Sequence, residues 1–543
     1  MGRQILLVLL LPALLAALPA APTTTTTSSS SSSRLCSMAD RDGDGRVDPG
    51  ELHGFLRLFG ASHDGPSPSL VNDGPSPSLV NARLRAVLRR ADPGAGGAHA
   101  SCGALFHEAV VDAAAAVGAV SAGEQFHLAL TGSPSERRLT FATVGRGAPV
   151  HASCALSDGR NFTGLPYSYN VPARWWQPEG WVGSLYNVTF TGLQPGQSYS
   201  YSCLGSSATH TFVTVSTNTS SFPTHFATFG DMGTFMPLGF DVFQALARSH
   251  ATAPFDFVLQ QGDISYAGVD TAAPVLNITK GDEFEYIWDL FGRQIESVSS
   301  TLPWMTGVGN HEAWYNFSAF RARYPMPGEA SDGEGNFWYS FDYAGVHVVS
   351  ASSEHDLSDG SPQLAWIARD LKAANENRHV VPWVVFAIHR PLYSSDAGEF
   401  AQHSPGSYRL RQLEGLLLEN NVDLTVAGHQ HAYERCHPAR NGTVLSRPQR
   451  RWHGEDVYEA PDAPVHLMVG SAGAFQNERW INPAPAWSGK RFNATAGHAA
   501  LDGYGFVRVT LFNRTHMRAR FESVSGENSS LSDAFWVVKY SNS

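Results

Sequence analysis

The rhythm of apolar and polar positions changes along the chain. Between residues 121 and 216 short stretches at 126–130, 139–144, 186–190 and 199–203 place apolar or aromatic side chains at about every second position. That period turns one face inward and the other outward, so these segments are predicted to be half-buried strands. Residues 192–196, with a glycine at each end and a proline between, predict a turn before the last strand. From residue 222 the rhythm is different. Apolar runs at 225–229, 255–259, 346–350, 381–388, 422–426 and 465–469 are mostly continuous, and polar loops follow them. Strands of that kind are buried on both faces. Helical spacing is predicted over 284–294, 364–374 and 408–420. Together these elements predict an α/β domain with covered sheets over 222–540, preceded by a small β-sandwich over 121–216.

The first 120 residues follow neither rhythm. Arg3, the apolar run 5–21 and the small residues ending it predict a secretory signal peptide over 1–21; an uncleaved anchor is the alternative. No later stretch is apolar for the roughly 18 residues that a membrane span needs. Residues 23–33 are all Thr or Ser, so 22–34 is predicted to be a linker that packs no core.

Residues 40–51 have the spacing of a calcium-binding EF-hand loop. Asp40, Asp42 and Asp44 offer side-chain oxygens, and Arg46 offers its backbone carbonyl. Asp48 can act through water, and Glu51 closes the loop with both carboxylate oxygens. Gly45 permits the sharp turn, and Leu52, Phe55, Leu56 and Phe59 continue at helical spacing. Residues 64–72 are repeated at 73–81 as a Pro/Ser-rich insert. A second loop from Asp92 has glycines where ligands should be and is predicted to bind no calcium. An EF-hand pair is therefore expected over 35–117.

Composition narrows the function. With 38 basic and 49 acidic side chains the 543-residue chain carries a net charge of −11, and it has no long basic run. Nucleic acid is not an expected partner. Nine Asn-x-Ser/Thr sequons, at Asn161, Asn187, Asn218, Asn277, Asn316, Asn441, Asn493, Asn513 and Asn528, accompany the leader. They predict a glycosylated protein that is secreted or held in a vacuolar or lysosomal lumen. Five cysteines allow two disulfides, for which Cys154–Cys203 and Cys36–Cys102 are the candidate pairs, leaving Cys436 over.

The chemistry is concentrated in five short segments behind apolar runs. Gly230 and Asp231 open the first. The second holds Gly262, Asp263 and Tyr266, and the third Gly309, Asn310, His311 and Glu312. His389 ends the run 384–388, and Gly428, His429 and His431 form the last. Two Asp, one Tyr, one Asn and three His are the right donors for two metal ions sharing one carboxylate.

In this order the motifs resemble those of the metallophosphoesterases, and Tyr266, three residues after Asp263, resembles the mark of the purple acid phosphatases. The resemblance covers roughly residues 120 to 540. It implies a double-sheet metallophosphoesterase α/β sandwich behind a fibronectin-type β-sandwich. It also implies that Asp231, Tyr266 and His431 hold Fe(III), that Asn310, His389 and His429 hold a divalent Zn, Mn or Fe ion, and that Asp263 bridges them. His311 is then the residue that hydrogen-bonds the phosphate and protonates the leaving oxygen. Glu312 is expected to support its loop, and Glu434 and Arg435 to be structural partners.

The chain departs from the plant pattern about ten residues after His389. There Glu399 stands where a substrate-binding His is expected, with His403 beyond it as a substitute. The expected activity is acid hydrolysis of phosphate monoesters by metal-activated hydroxide. The alternatives are phosphodiesters or nucleotide pyrophosphates at the same site, or a non-catalytic extracellular calcium-binding interaction protein. Oligomeric state leaves no trace in the pattern.

Overall fold

The computed structural model describes residues 123–145, 149–173, 180–204, 206, 208–216, 222–234, 238–268, 283, 285–476, 479–493 and 501–540. The leader, the Thr/Ser linker, the calcium loop 40–51, the Cys36–Cys102 pair and the sequons at Asn218 and Asn277 lie outside them.

Eight strands come first: β1 (Glu124–Ala129), β2 (Arg137–Val144), β3 (Ala152–Leu156), β4 (Asn161–Gly164), β5 (Pro166–Tyr167), β6 (Gly183–Phe190), β7 (Ser198–Cys203) and β8 (His210–Val213). They form two four-stranded sheets, ordered β1-β2-β6-β5 and β4-β3-β7-β8. The alternating residues read from the sequence meet between them: Phe126, Leu128, Leu139, Phe141, Tyr186, Val188, Phe190, Tyr201 and Phe212 share one buried cluster. Cys154 and Cys203 face each other across β3 and β7 and are disulfide-bonded, as expected from the sequence. Cys436 is a buried free thiol.

The larger unit begins with β9 (Thr224–Phe229), α1 (Gly239–Thr252), β10 (Phe257–Gln261), α2 (Glu285–Ser299), β11 (Trp304–Gly307) and α3 (Ser318–Arg323). Then come β12 (Tyr339–Tyr343), β13 (Val346–Ala351), α4 (Pro362–Glu376), β14 (Trp383–Ile388), α5 (Tyr408–Glu419), β15 (Leu424–Ala427) and β16 (Tyr433–Cys436). After the short pair β17 (Ala439–Arg440) and β18 (Thr443–Val444) follow β19 (Arg450–Trp452), β20 (Glu455–Glu459), β21 (Val465–Val469) and β22 (Ser488–Phe492). The chain closes with β23 (Gly505–Leu511), β24 (His516–Ser523) and β25 (Ala534–Val538).

Two mixed sheets result. One has the order β11-β10-β9-β23-β24-β25-β20-β19 and the other β12-β13-β14-β15-β21-β16-β22. β9, β10 and β11 are parallel in the first sheet, and β13, β14, β15 and β21 in the second. The continuous apolar run of β14 shows why. Trp383, Val385 and Ala387 enter the core shared by the two sheets. Val384, Phe386 and Ile388 enter a second core beneath Trp366, Ile367 and Leu371 of α4 and Leu410, Leu413 and Leu417 of α5. Both faces of a two-residue period are thus buried, leaving no polar side to alternate.

The β-sandwich is docked, not tethered. β1 lies against α2. Glu124 pairs with Arg293 at 2.5 Å, the Gln125 N–H donates to Glu296 at 2.6 Å, and the Ser299 hydroxyl donates to the Phe126 carbonyl at 2.9 Å. Arg323 of α3 pairs with Asp289 of α2 at 2.9 Å and stacks over Trp181 of the sandwich at 4.6 Å. The sandwich's buried His127 and Trp181 are packing groups at this junction.

Among the described sequons Asn161, Asn316, Asn441 and Asn513 are exposed, whereas Asn493 is 1% exposed and presents no amide for a glycan.

A half-buried ion cluster ties helix to sheet. His347 of β13 bridges Asp342 of β12 at 2.7 Å and Asp370 of α4 at 3.0 Å. Burial alone would lower the imidazole pKa, but the two carboxylates outweigh it and raise it to about 9. The bridge therefore stabilises fully below the unfolded value of 6.5 and is lost as pH rises through about 9. His347→Ala is expected to lower unfolding free energy by about 2–3 kcal/mol at pH 5–6 and by little near pH 10. Urea titrations at both pH values test this; an equal loss at the two would refute the linkage.

Candidate metal centre

The five motif segments leave the C-terminal ends of parallel strands drawn from both sheets. Asp231 is two residues past β9, Asp263 two past β10 and Asn310 three past β11; His389 directly follows β14, and His429 is two past β15. Ligand sites gather at such strand ends because the loops there converge.

Reaching the centre bends the backbone. Asp231, Asp263, Tyr266 and His429 have φ of 63°, 46°, 55° and 72°. Side chains other than Gly rarely adopt this left-handed region, and it is costlier for Tyr than for Asp. Four such residues in one site are strain retained where function requires it. Two glycines make the close approach possible. A Cβ on Gly309 would collide with the Asp263 carboxylate, and one on Gly428 with that of Asp231.

All seven expected ligands converge. Tyr266 Oη lies 3.0 Å from Asp231 Oδ1 and 2.8 Å from His431 Nε2. Across the centre His389 Nε2 lies 3.1 Å from Asn310 Oδ1 and 3.3 Å from Asp263 Oδ1, and the His389 and His429 rings meet edge to face at 5.1 Å. Donor atoms of Asp231, Asp263 and His431 lie within 4.8 Å of one another, and so do those of Asp263, His389 and His429. Asp263 belongs to both sets.

Hydrogen bonds assign the imidazole faces. His389 Nδ1 donates to the Gln261 carbonyl at 2.9 Å and His431 Nδ1 to the Phe475 carbonyl at 2.8 Å. Each leaves Nε2 facing the cluster, the nitrogen a metal ion would take once its proton is displaced. Burial outweighs the contact with Glu399 and lowers the pKa of His429 to about 4, so that ring is neutral. Burial would raise the pKa of Asp263, but His389 and His311 beside it outweigh burial and pull it well down. Burial, with Asp231 and Asp263 close by, pushes the Tyr266 hydroxyl well above its ordinary value.

Glu312 is the buried organiser of the two loops. Its carboxylate accepts from the Asp263, Ile264 and Gly309 N–H groups, each at 2.8 Å. His311 sits at the open side, 14% exposed, with Nε2 3.9 Å from Asp263 Oδ2 and its ring 4.7 Å from that of Tyr266. Glu434 and Arg435 are both structural but not each other's partners. Glu434 accepts from Ser395 and Ser488, while Arg435 binds Asp456 and Asp533. His403 is fully buried, and its Nδ1 donates to the Pro391 carbonyl at 2.7 Å, so it takes no substrate-facing position.

Sequence reasoning missed Arg390 and Glu354. Arg390 reaches Glu354 at 2.8 Å and His429 Nε2 at 2.9 Å. Its place directly after His389 was the available signal.

Comparison with known proteins agrees with this geometry. The family profile described as Calcineurin-like phosphoesterase matches residues 224–433, and that described as Iron/zinc purple acid phosphatase-like protein C matches 463–534. Acid phosphatase type 7 of Mus musculus is 32% identical over 437 residues, covering 77% of this chain and 91% of its own length. Probable purple acid phosphatase 20 of Arabidopsis thaliana is 29% identical over 430 residues, 76% of this chain and 87% of its own. In fold the chain is similar to the purple acid phosphatase PPD1 from yellow lupin seeds, with a TM-score of 0.63, 21% identity and coverage of 77% and 75%.

Removing the Glu312 carboxylate strands three buried N–H groups. Glu312→Ala is expected to cost about 2–4 kcal/mol of stability and to lower bound metal in the purified protein. Denaturant titration and elemental analysis check this; unchanged metal content would deny Glu312 its organising role.

Proposed function

The chain belongs to the purple acid phosphatase family of metallophosphoesterases, and on that premise we propose that it hydrolyses phosphate monoesters at acidic pH from a dinuclear Fe(III)–M(II) centre. The observation that carries this reading is Asp263, the carboxylate common to the Asp231–His431 and His389–His429 donor sets.

The donors fit the ions. The carboxylate of Asp231 and the phenol oxygen of Tyr266, with His431, suit a hard trivalent iron; Asn310, His389 and His429 suit Zn, Mn or Fe(II). Seven donors converging without a cation, with Asp231, Asp263, Tyr266 and His389 among them fully buried, would cost more desolvation than hydrogen bonds return. Bound there, the two ions lower the pKa of water from about 15.7 toward 7 and screen the phosphoryl charge.

The remaining work falls to the chain. Glu312 holds Asp263 in the shared position through the backbone. His311, at the open side, donates a hydrogen bond to a phosphate oxygen and passes its proton to the departing alkoxide.

The reading extends to the segments at the start of the chain. The leader and the exposed sequons support a secreted or lumenal glycoprotein, and residues 40–51 support calcium binding. Calcium is expected to raise the thermal stability of the full chain, and Glu51→Gln to remove that rise. No difference between the two proteins would withdraw the calcium role.

The initial rate on an aryl phosphomonoester across acidic to neutral pH tests the central claim. An acidic optimum is expected, abolished in Asp263→Ala. An inactive preparation shown to contain iron would sink the monoesterase reading and turn attention to diesters. His311→Ala is expected to lower kcat by about 10²–10⁴-fold with a smaller change in KM. Tyr266→Phe is expected to lose the visible absorption of a phenolate–iron pair.

A further inference from the structure

Glu399 is the residue that departs from the expected substrate-binding histidine, and it is not idle. Its Oε2 lies 2.8 Å from His429 Nε2, 3.1 Å from Gln430 Nε2 and 3.3 Å from His403 Nε2. The side chain is 35% exposed, while its neighbour His403 is 0% exposed. Arg390 approaches the same imidazole nitrogen from a position next to Glu399. Its Nη1 is 2.9 Å from His429 Nε2 and 4.0 Å from Glu399, while its Nε is held by Glu354 at 2.8 Å.

These contacts make opposite demands on one atom. A carboxylate only accepts, so Glu399 requires a hydrogen on His429 Nε2. A guanidinium only donates, so Arg390 requires a lone pair there. A neutral imidazole carries one N–H. If Nε2 holds it, Nδ1 keeps a lone pair and can bind a cation. If Arg390 prevails, Nδ1 holds the hydrogen and His429 is lost as a ligand. His389 and His431 escape this conflict because backbone carbonyls fix their tautomers. His429 alone among the three depends on a side chain for that choice.

We propose that Glu399 is a positioning residue that holds His429 in its Nε2–H tautomer against Arg390, and so sets the affinity of the divalent site. The inference rests on the two-metal reading but not on the substrate. The position that would carry a phosphate-binding histidine is instead part of the support of a metal ligand, so recognition of the substrate's outer portion falls elsewhere. A carboxylate facing solvent there would repel a phosphate dianion; one bonded to His429 and Gln430 has its charge spread over two donors.

Glu399, His403 and His429 also lie close enough to hold an ion of their own. That arrangement would use His429 Nε2 as a ligand atom 2.9 Å from a guanidinium nitrogen. It would also withdraw His429 from the central pair, so the positioning role is favoured.

The test is metal binding by the full chain, stripped of metal and titrated with Zn²⁺ against a chromophoric chelator. Glu399→Ala is expected to weaken one of the two bound equivalents by about 10–100-fold. Glu399→Gln keeps an oxygen that accepts from Nε2–H and is expected to stay within a few-fold of the parent. Arg390→Ala removes the rival donor and is expected to leave affinity unchanged or higher. Melting temperatures of the metal-free variants should match the parent, separating positioning from misfolding.

Unchanged affinity in Glu399→Ala would overturn the proposal. So would equal weakening in the Gln and Ala variants, because it would mean a general attraction of charge. A third bound equivalent in the parent that Glu399→Ala removes would also overturn it, in favour of a separate cation site. If the parent binds no metal, the two-metal reading itself fails, and the titration shows this without any phosphatase assay.

Discussion

A buried carboxylate shared between two donor sets is the constraint on which the rest of the structure depends. Asp263 is almost fully enclosed, and its charge has no water to solvate it. Such a group is tolerated only when opposite charge surrounds it. His389 and His311 provide that charge in the protein alone, and cations would provide it more strongly. The loop is held for the same purpose. Glu312 fixes the Asp263 amide from one side, and the N–H of His311 donates to Asp263 Oδ1 at 2.9 Å from the other. The left-handed turns at Asp231, Asp263, Tyr266 and His429 are tolerated because hydrogen bonds and close-packed glycines leave the backbone no alternative. Strain here follows from the need to aim several short side chains at one point.

Much of this was legible in the sequence for one physical reason. A strand buried on both faces must be apolar throughout, and a ligand must follow where the strand stops. The runs before Asp231, Asp263, His389 and His429 obey both conditions, so the ligands could be placed without knowing the fold. The sandwich strands were legible from alternation, and the Cys154–Cys203 pair from their proximity to those strands.

What stayed hidden was of two kinds. Elements whose apolar rhythm is broken by polar groups were missed. β23 contains Arg508, which is buried by pairing with Glu522 and lies over the ring of Phe255 at 3.8 Å, so its strand reads as mixed. β11 is four residues long, too short for any period to show. The second kind is contact between residues distant along the chain. Nothing local announces that Glu399 meets His429, or that Arg323 reaches Asp289 and the rings of the sandwich. Glu399 is legible only as a departure from a resemblance, and its geometry supplies a different part for it from the one left vacant.

The donor set draws on both sheets: Asp231, Asp263, Tyr266 and Asn310 follow strands of one, and His389, His429 and His431 follow strands of the other. Ions held between them are therefore cross-links between the two halves of the core, closing a loop of chain that runs from residue 231 to 431. Parting the sheets would require releasing any ions bound there, and their binding energy would become a barrier to opening. Durability and catalysis would then be supplied by the same few atoms, and loss of metal would shorten the protein's lifetime as well as silence it.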